Sequence, residues 1–143
     1  MKKVKTEIRL FAAAMLALCA GCSRPKVYQT ADDQLALQIA KLGNDDDSVS
    51  TFKVRLRLLS PVLTELAKDN NEAMYYRADS CFYLSDGNRK VYPLMLQPIA
   101  NGASYTYEYL ISFPQKYAGH VPVNLTYQDH YFNRRTYSTP ITD

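Results

Sequence analysis

Tryptophan is absent from this 143-residue chain, and glycine (5), cysteine (3) and histidine (2) are scarce. Two histidines leave little for a His-based metal centre. No H-E-x-x-H, G-x-S-x-G or glycine-rich phosphate loop occurs, and the one C-x-x-C, Cys19-Ala20-Gly21-Cys22, closes the apolar run near the amino terminus, so the usual frameworks for metalloprotease, acyl-transfer and phosphate chemistry are missing. No apolar run approaches the ~20 residues of a membrane-spanning helix; the longest, Leu10–Ala20, has 11. What the chain has in quantity is tyrosine, 12 residues, set in segments that alternate apolar and polar.

The apolar run follows Lys2, Lys3, Lys5 and Arg9, opposed only by Glu7, and ends in small residues. A basic head, a short apolar stretch and small residues after it describe a secretory signal. Ala20-Gly21 directly before Cys22 resembles the lipobox of bacterial lipoproteins, with one departure: Cys19 stands where that family usually has Leu, and Leu18 lies one place further back. The resemblance implies cleavage before Cys22 and a diacylglyceryl group on its thiol, so that Cys22 holds the protein to a membrane. Ser23 follows, not the Asp that keeps many such proteins at the inner membrane, which points to the outer one. The expected organisation is a signal peptide at 1–21, a lipidated tether at 22–33 and a folded domain at 34–143.

Without Met1–Gly21, Lys plus Arg falls from 17 to 13 and Asp plus Glu from 14 to 13, so the formal charge drops from +3 to zero. The basic stripe that a nucleic-acid binder needs therefore loses its first support. The remaining 122 residues suffice for one domain with one core. Cys19 leaves with the signal and Cys22 carries lipid, so Cys81 is alone and the fold must hold by packing without a disulfide. Ser23–Asp33 is polar and reads as a tether reaching roughly 30–35 Å.

Leu35–Leu42 fits a helical stripe (Leu35, Ile39, Leu42) and a strand alternation (Leu35, Leu37, Ile39); the β character of all that follows favours the strand. Asn44–Asp47 reads as a solvated turn, lacking the alternating acids, Gly and distal Glu of a calcium loop. In Thr51–Leu59, Phe52, Val54, Leu56 and Leu58 point one way and Lys53, Arg55 and Arg57 the other. Val62–Lys68 has room for a turn or two of helix, closing in Asp69-Asn70-Asn71. Ala73–Leu84 returns to β character, Asp86-Gly87 signals a hairpin, and Lys90–Leu96 is the return strand, with Pro93 marking an edge or bulge. Ser104–Phe113 alternates strictly, Val121–Tyr127 alternates again, and a last strand runs around Tyr131–Ser138. These segments predict an all-β fold, an antiparallel β-sandwich of transthyretin-like or immunoglobulin-like kind with six to seven strands.

Candidate chemistry is thin. His120 and His130 bracket one strand, roughly 30 Å apart at about 3.3 Å per residue, too far to share a metal. His130 beside Asp129 has the form of a base and its orienter, and Cys81 is a free thiol; a solvated turn and a half-buried strand position account for them more simply. No catalytic, cofactor or metal residue is assigned, and no enzyme activity is expected. Lys53, Arg55 and Arg57, about 7 Å apart, form a positive stripe suited to an acidic partner, or an outward face that discourages strand aggregation. Tyr105, Tyr107 and Tyr109 form a row that would either stack sugar rings or pack the core.

The order of a lipobox, a short tether, the LALQI segment, a loop with Asn44-Asp45 and the VRLRLL strand resembles the small outer-membrane lipoprotein of type VI secretion systems. That resemblance implies a transthyretin-like sandwich docking membrane-complex proteins from the periplasmic side. It covers the lipobox and Leu35–Ser60. Two functions follow as expectations: a non-enzymatic outer-membrane lipoprotein serving as an adaptor in a cell-envelope assembly, and a glycan-binding lipoprotein using the tyrosine face.

Overall fold

The computed structural model describes residues 25–43, 48–114 and 123–142. Alternation sets the strands. In β3 (Val49–Leu58) every second side chain from Phe52 to Leu58 is buried, while Arg55 and Arg57 are exposed. Burying each such apolar side chain contributes about 1.5–3 kcal/mol. β1 (Val27–Ala31) and β2 (Leu35–Lys41) form a hairpin on one side of β3. On the other side lie β7 (Thr106–Pro114) and the edge strand β6 (Met95–Ile99). This five-stranded sheet has the order β1-β2-β3-β7-β6. A four-stranded sheet is built from β4 (Phe82–Ser85), β5 (Lys90–Val91), β8 (Val123–Gln128) and β9 (Thr136–Ile141), in the order β5-β4-β8-β9.

Every pairing is antiparallel. With β1 set aside, β2-β3-β7-β6 against β5-β4-β8-β9 is the strand order of an immunoglobulin-like sandwich with an added strand beside its third. The β-sandwich expected from the sequence is therefore present, but with nine strands among the described residues instead of six to seven, because Val27–Ala31 pairs as an added edge strand and the Lys90–Leu96 segment is divided between the sheets. Leu35–Lys41 is a strand. The core lies between the sheets, where Phe82 meets Tyr109 at 5.4 Å and Tyr127 at 5.0 Å between ring centroids.

Four expectations need correction. Helix α1 (Pro61–Tyr76) is far longer than Val62–Lys68 and absorbs the first third of the expected strand Ala73–Leu84. Its start is local: Ser60 sits in extended backbone and its Oγ accepts the Leu63 N–H, with Pro61 opening the helix. Its continuation through Asp69-Asn70-Asn71 is tertiary. Leu63, Ala67 and Met74 are buried along one side, and the Tyr107 and Tyr109 hydroxyls donate to Asn71 Oδ1 and the Met74 carbonyl at 3.2 and 2.8 Å.

The expected return strand Lys90–Leu96 is divided between the two sheets, Lys90–Val91 in one and Met95–Ile99 in the other. Pro93, lacking an N–H, falls in the crossing between them. The Asp86-Gly87 hairpin is present, with Gly87 at φ +95° and Asp86 Oδ1 accepting the Asn88 and Arg89 N–H groups. The last strand begins at Thr136, not near Tyr131, because Asp129 ties the preceding residues into a loop. The tether also shortens, since Val27–Ala31 pairs with β2. Only Ser23–Lys26 then separate Cys22 from the sheet, a reach of about 15 Å.

Candidate functional site

The outward face of the five-stranded sheet follows from register. One cross-strand row runs Gln29, Gln38, Arg55, Glu108, Ile99; a second runs Val27, Ala40, Lys53, Leu110, Gln97; a third runs Ala31, Ala36, Arg57, Thr106. Ala36 and Ala40 keep β2 low. Lys53 and Arg55 stand beside it, and a shallow depression opens among Val27, Gln38, Ile39, Ala40, Lys53 and Arg55. Gln38 Nε2 donates to Gln29 Oε1 at 3.3 Å and closes the far side.

Beneath the cations lies Glu108, 5 % exposed. Its Oε1 is 2.5 Å from Arg55 Nε and its Oε2 is 3.2 Å from Lys53 Nζ. Burial pushes the Glu108 carboxyl up, but its bonds to Arg55 and Lys53 outweigh burial and hold it below the ordinary range. Both cations are half-exposed, so each pair contributes at most about 1 kcal/mol. Their consequence is positional: one carboxylate fixes two long side chains. Arg57 has no carboxylate partner among the described residues. Three cations over one anion leave the row positive.

A second polar cluster fastens the β1–β2 hairpin to the other sheet. Asp32 Oδ1 accepts the Gln34 and Leu35 N–H groups at 2.8 and 2.9 Å. Asp32 Oδ2 receives Arg135 Nη1 at 2.7 Å and the Tyr137 hydroxyl at 3.0 Å. Burial acts to raise the Asp32 pKa; the Gln34 N–H, Arg135, the Leu35 N–H and Tyr137 overcome it and bring it to about 2. Tyr28 adds a hydroxyl bond to the Thr142 carbonyl. The segment nearest the expected anchor is thus bound into both sheets.

Cys22 lies outside the described residues, as do Asn44–Asp47 and His120. Lys53, Arg55 and Arg57 stand on one face as their alternation requires. Tyr107 and Tyr109 are 3 % and 0 % exposed and pack the core, so the tyrosine row is not an open stacking platform. Tyr105 leaves that row altogether, exposed at φ +56°.

Cys81 and Asp129 come close in space, but not as a reactive pair. The thiol is fully buried, and that burial, with the Asp129 charge second, pushes it up to about 11. A thiol so held stays protonated and is a poor nucleophile. The Asp129 carboxylate is taken up by the Tyr127 hydroxyl and the N–H groups of Tyr131, Phe132, Asn133 and Arg134. It orients a loop, not the His130 ring.

Among the described residues no group of three or more His, Cys, Asp or Glu is placed to hold a metal, and no helix is long and apolar enough to cross a membrane. Sequence reasoning missed Glu108 and Asp32. Glu108 was visible on the polar side of its strand; that it sits opposite Arg55 depends on which strands pair. Comparison with protein-family models, curated proteins and solved structures finds no match.

Proposed function

We propose that this protein is a lipid-anchored, non-catalytic adaptor of the outer membrane, held through Cys22. In this reading it contributes the Lys53–Arg55–Arg57 face of an immunoglobulin-like sandwich to a cell-envelope assembly. The observation that carries it is the buried Glu108 holding Lys53 and Arg55 in fixed positions on an open sheet face, with Arg57 continuing the row. Positioned cations of this kind suit an acidic segment of a partner protein, giving orientation and a fast, salt-sensitive encounter. The shortened tether and the Asp32–Arg135 clasp support a role at a bilayer surface, since a pull on the anchor is passed directly into both sheets. The resemblance of the lipobox and Leu35–Ser60 to the type VI secretion lipoprotein makes a secretion-system membrane complex the assembly of choice.

Mass spectrometry of the protein from its native envelope should find a diacylated Cys22 at the amino terminus. Affinity isolation of that lipidated form should return stoichiometric membrane proteins, and Arg55→Glu with Arg57→Glu should release them. An unmodified amino terminus, or recovery of the chain alone, would overturn the proposal.

A further inference from the structure

Between β1 and β3 the outward face of the five-stranded sheet dips into a groove. Its floor is β2, where Ala36, Gln38 and Ala40 alternate, each half-buried. One wall is the cationic row of β3, with Lys53, Arg55 and Arg57 level with Ala40, Gln38 and Ala36 in turn. The other is β1, where Gln29 is level with Gln38 and accepts its hydrogen bond. The depression bounded by Val27, Lys53 and Arg55 is one end of this groove. Across β2 the two walls stand about 10 Å apart. That admits one extended chain, whereas a helix measures about 10–12 Å with its side chains and would ride on the rims. β1, β2 and β3 carry no carboxylate between Val27 and Lys41 or between Val49 and Leu58. Glu108, from β7, is taken up by Lys53 and Arg55, and Asp32 and Asp33, in the turn that closes the far end, are bound to Arg135.

We infer that the groove receives an extended segment of the partner protein with Asp or Glu at every second residue, lying over β2 with its acids toward β3 and its backbone within reach of Gln29 and Gln38. The cations are about 7 Å apart, the spacing of alternate side chains on an extended chain. Glu108 cancels one of three positive charges and in exchange fixes two of them. A fluid anionic bilayer, drawn by net charge, gains nothing from that exchange; a partner whose charges have a set spacing does. The Gln38–Gln29 bond engages one N–H and one C=O, and leaves N–H donors on Gln29 and a C=O acceptor on Gln38. A peptide backbone uses both kinds of group, whereas a phosphodiester chain offers only acceptors. A second copy presenting the same face would set cation against cation.

The inference rests on the adaptor reading for its site and its partner's sign, and adds the form of the segment recognised. It is tested with two fluorescein-labelled peptides of identical composition, one with three Asp alternating with Thr, the other with the three Asp adjacent. Their binding to the protein isolated from its envelope, in neutral detergent at low salt, is read by fluorescence anisotropy. The alternating peptide should bind about tenfold more tightly, since placement of charge sets register and specificity. Glu108→Gln adds a positive charge, yet should bring that ratio to about two, because Lys53 and Arg55 lose their fixed positions. Ala36→Leu/Ala40→Leu raises the floor without changing charge and should weaken the alternating peptide about tenfold, with far-UV circular dichroism confirming the fold. Equal or absent binding of the two peptides would overturn the inference, as would a ratio that survives Glu108→Gln or binding indifferent to the leucine variant. So would equally tight binding of an alanine-based helix with Asp at every fourth position or of a thymidine oligonucleotide, or loss of the peptide when phosphatidylglycerol is added. Release of envelope partners by Arg55→Glu/Arg57→Glu without any spacing preference fails this inference and leaves the adaptor reading standing. A spacing preference together with recovery of the chain alone from envelopes fails the adaptor reading and leaves the groove.

Discussion

Replacing Asp129 should be among the most damaging single changes in this domain, although the residue lies in a loop. Its carboxylate is buried and accepts five donors: the Tyr127 hydroxyl at 2.8 Å and the N–H groups of Tyr131, Phe132, Asn133 and Arg134 at 2.5 to 3.2 Å. A hydrogen bond to a charged group contributes about 1.5–3 kcal/mol net, and each buried donor left without an acceptor costs about 1–3 kcal/mol. The terms do not add, because Asn133 and Arg134 lie near solvent and water can replace part of what they lose. Asp129→Ala should therefore cost about 3–5 kcal/mol, a large share of the ~5–15 kcal/mol typical of a domain. Asp129→Asn keeps the volume but turns an amide NH₂ toward N–H donors, and should cost about 2–3 kcal/mol. Tyr127→Phe removes one donor and should cost about 1 kcal/mol. In urea titrations followed by far-UV circular dichroism, with slopes of about 1–3 kcal/mol/M, the alanine variant should lose at least about 1 M in midpoint. A cycle with Tyr127→Phe should depart from additivity by at least about 0.5 kcal/mol. An alanine variant within about 1 kcal/mol of the parent would refute the account of this loop as organised by one carboxylate.

Asp32 is held at about 2, below its ordinary 3.8, so it stabilises the fold above pH 4 and that contribution is lost as pH falls from about 4 to about 2. The gap corresponds to at most about 2.5 kcal/mol, reduced to about 1–2 by partial exposure; Asp32→Asn should flatten the stability profile across that window. Glu108, also lowered, acts with the same sign: its contribution is present above pH 4.5 and fades below it. Glu108→Gln should cost only about 1 kcal/mol, yet loosen Lys53 and Arg55, seen as broadened side-chain NMR resonances. Cys81, raised to about 11 and buried, should react with a disulfide reagent at pH 8 at least about a hundredfold more slowly in the folded Cys19→Ser/Cys22→Ser chain than in urea; equal rates would place the thiol at the surface. Gly87→Ala should cost about 1 kcal/mol by thermal denaturation, because φ is +95° there and no neighbouring atom is crowded, leaving strain as the cause.

The strands legible in the sequence are those whose burial is one-sided. Phe52, Val54, Leu56 and Leu58 alternate with Lys53, Arg55 and Arg57 because β3 has a core face and a solvent face, so composition, alternation and the Asp86-Gly87 turn together determine a sandwich and its cationic row. What failed were segments whose state depends on distant partners. Tyr75 and Tyr76 have strand propensity but lie in a helix, because Tyr107 and Tyr109, more than thirty residues away, anchor Asn71 and Met74. Val27–Ala31 shows too little apolar pattern to be read as a strand; it becomes one because β2 offers a free edge and Asp32, Arg135 and Tyr137 close around its turn.

Local sequence thus determined which residues face in or out, since side-chain direction in a strand follows from a period of two. Tertiary structure decided which strands are neighbours: Glu108 opposite Arg55, Asp32 beside Arg135, Lys90–Val91 and Met95–Ile99 in separate sheets. Register between segments distant in the chain is set by packing of the whole core, and no short window of sequence contains it.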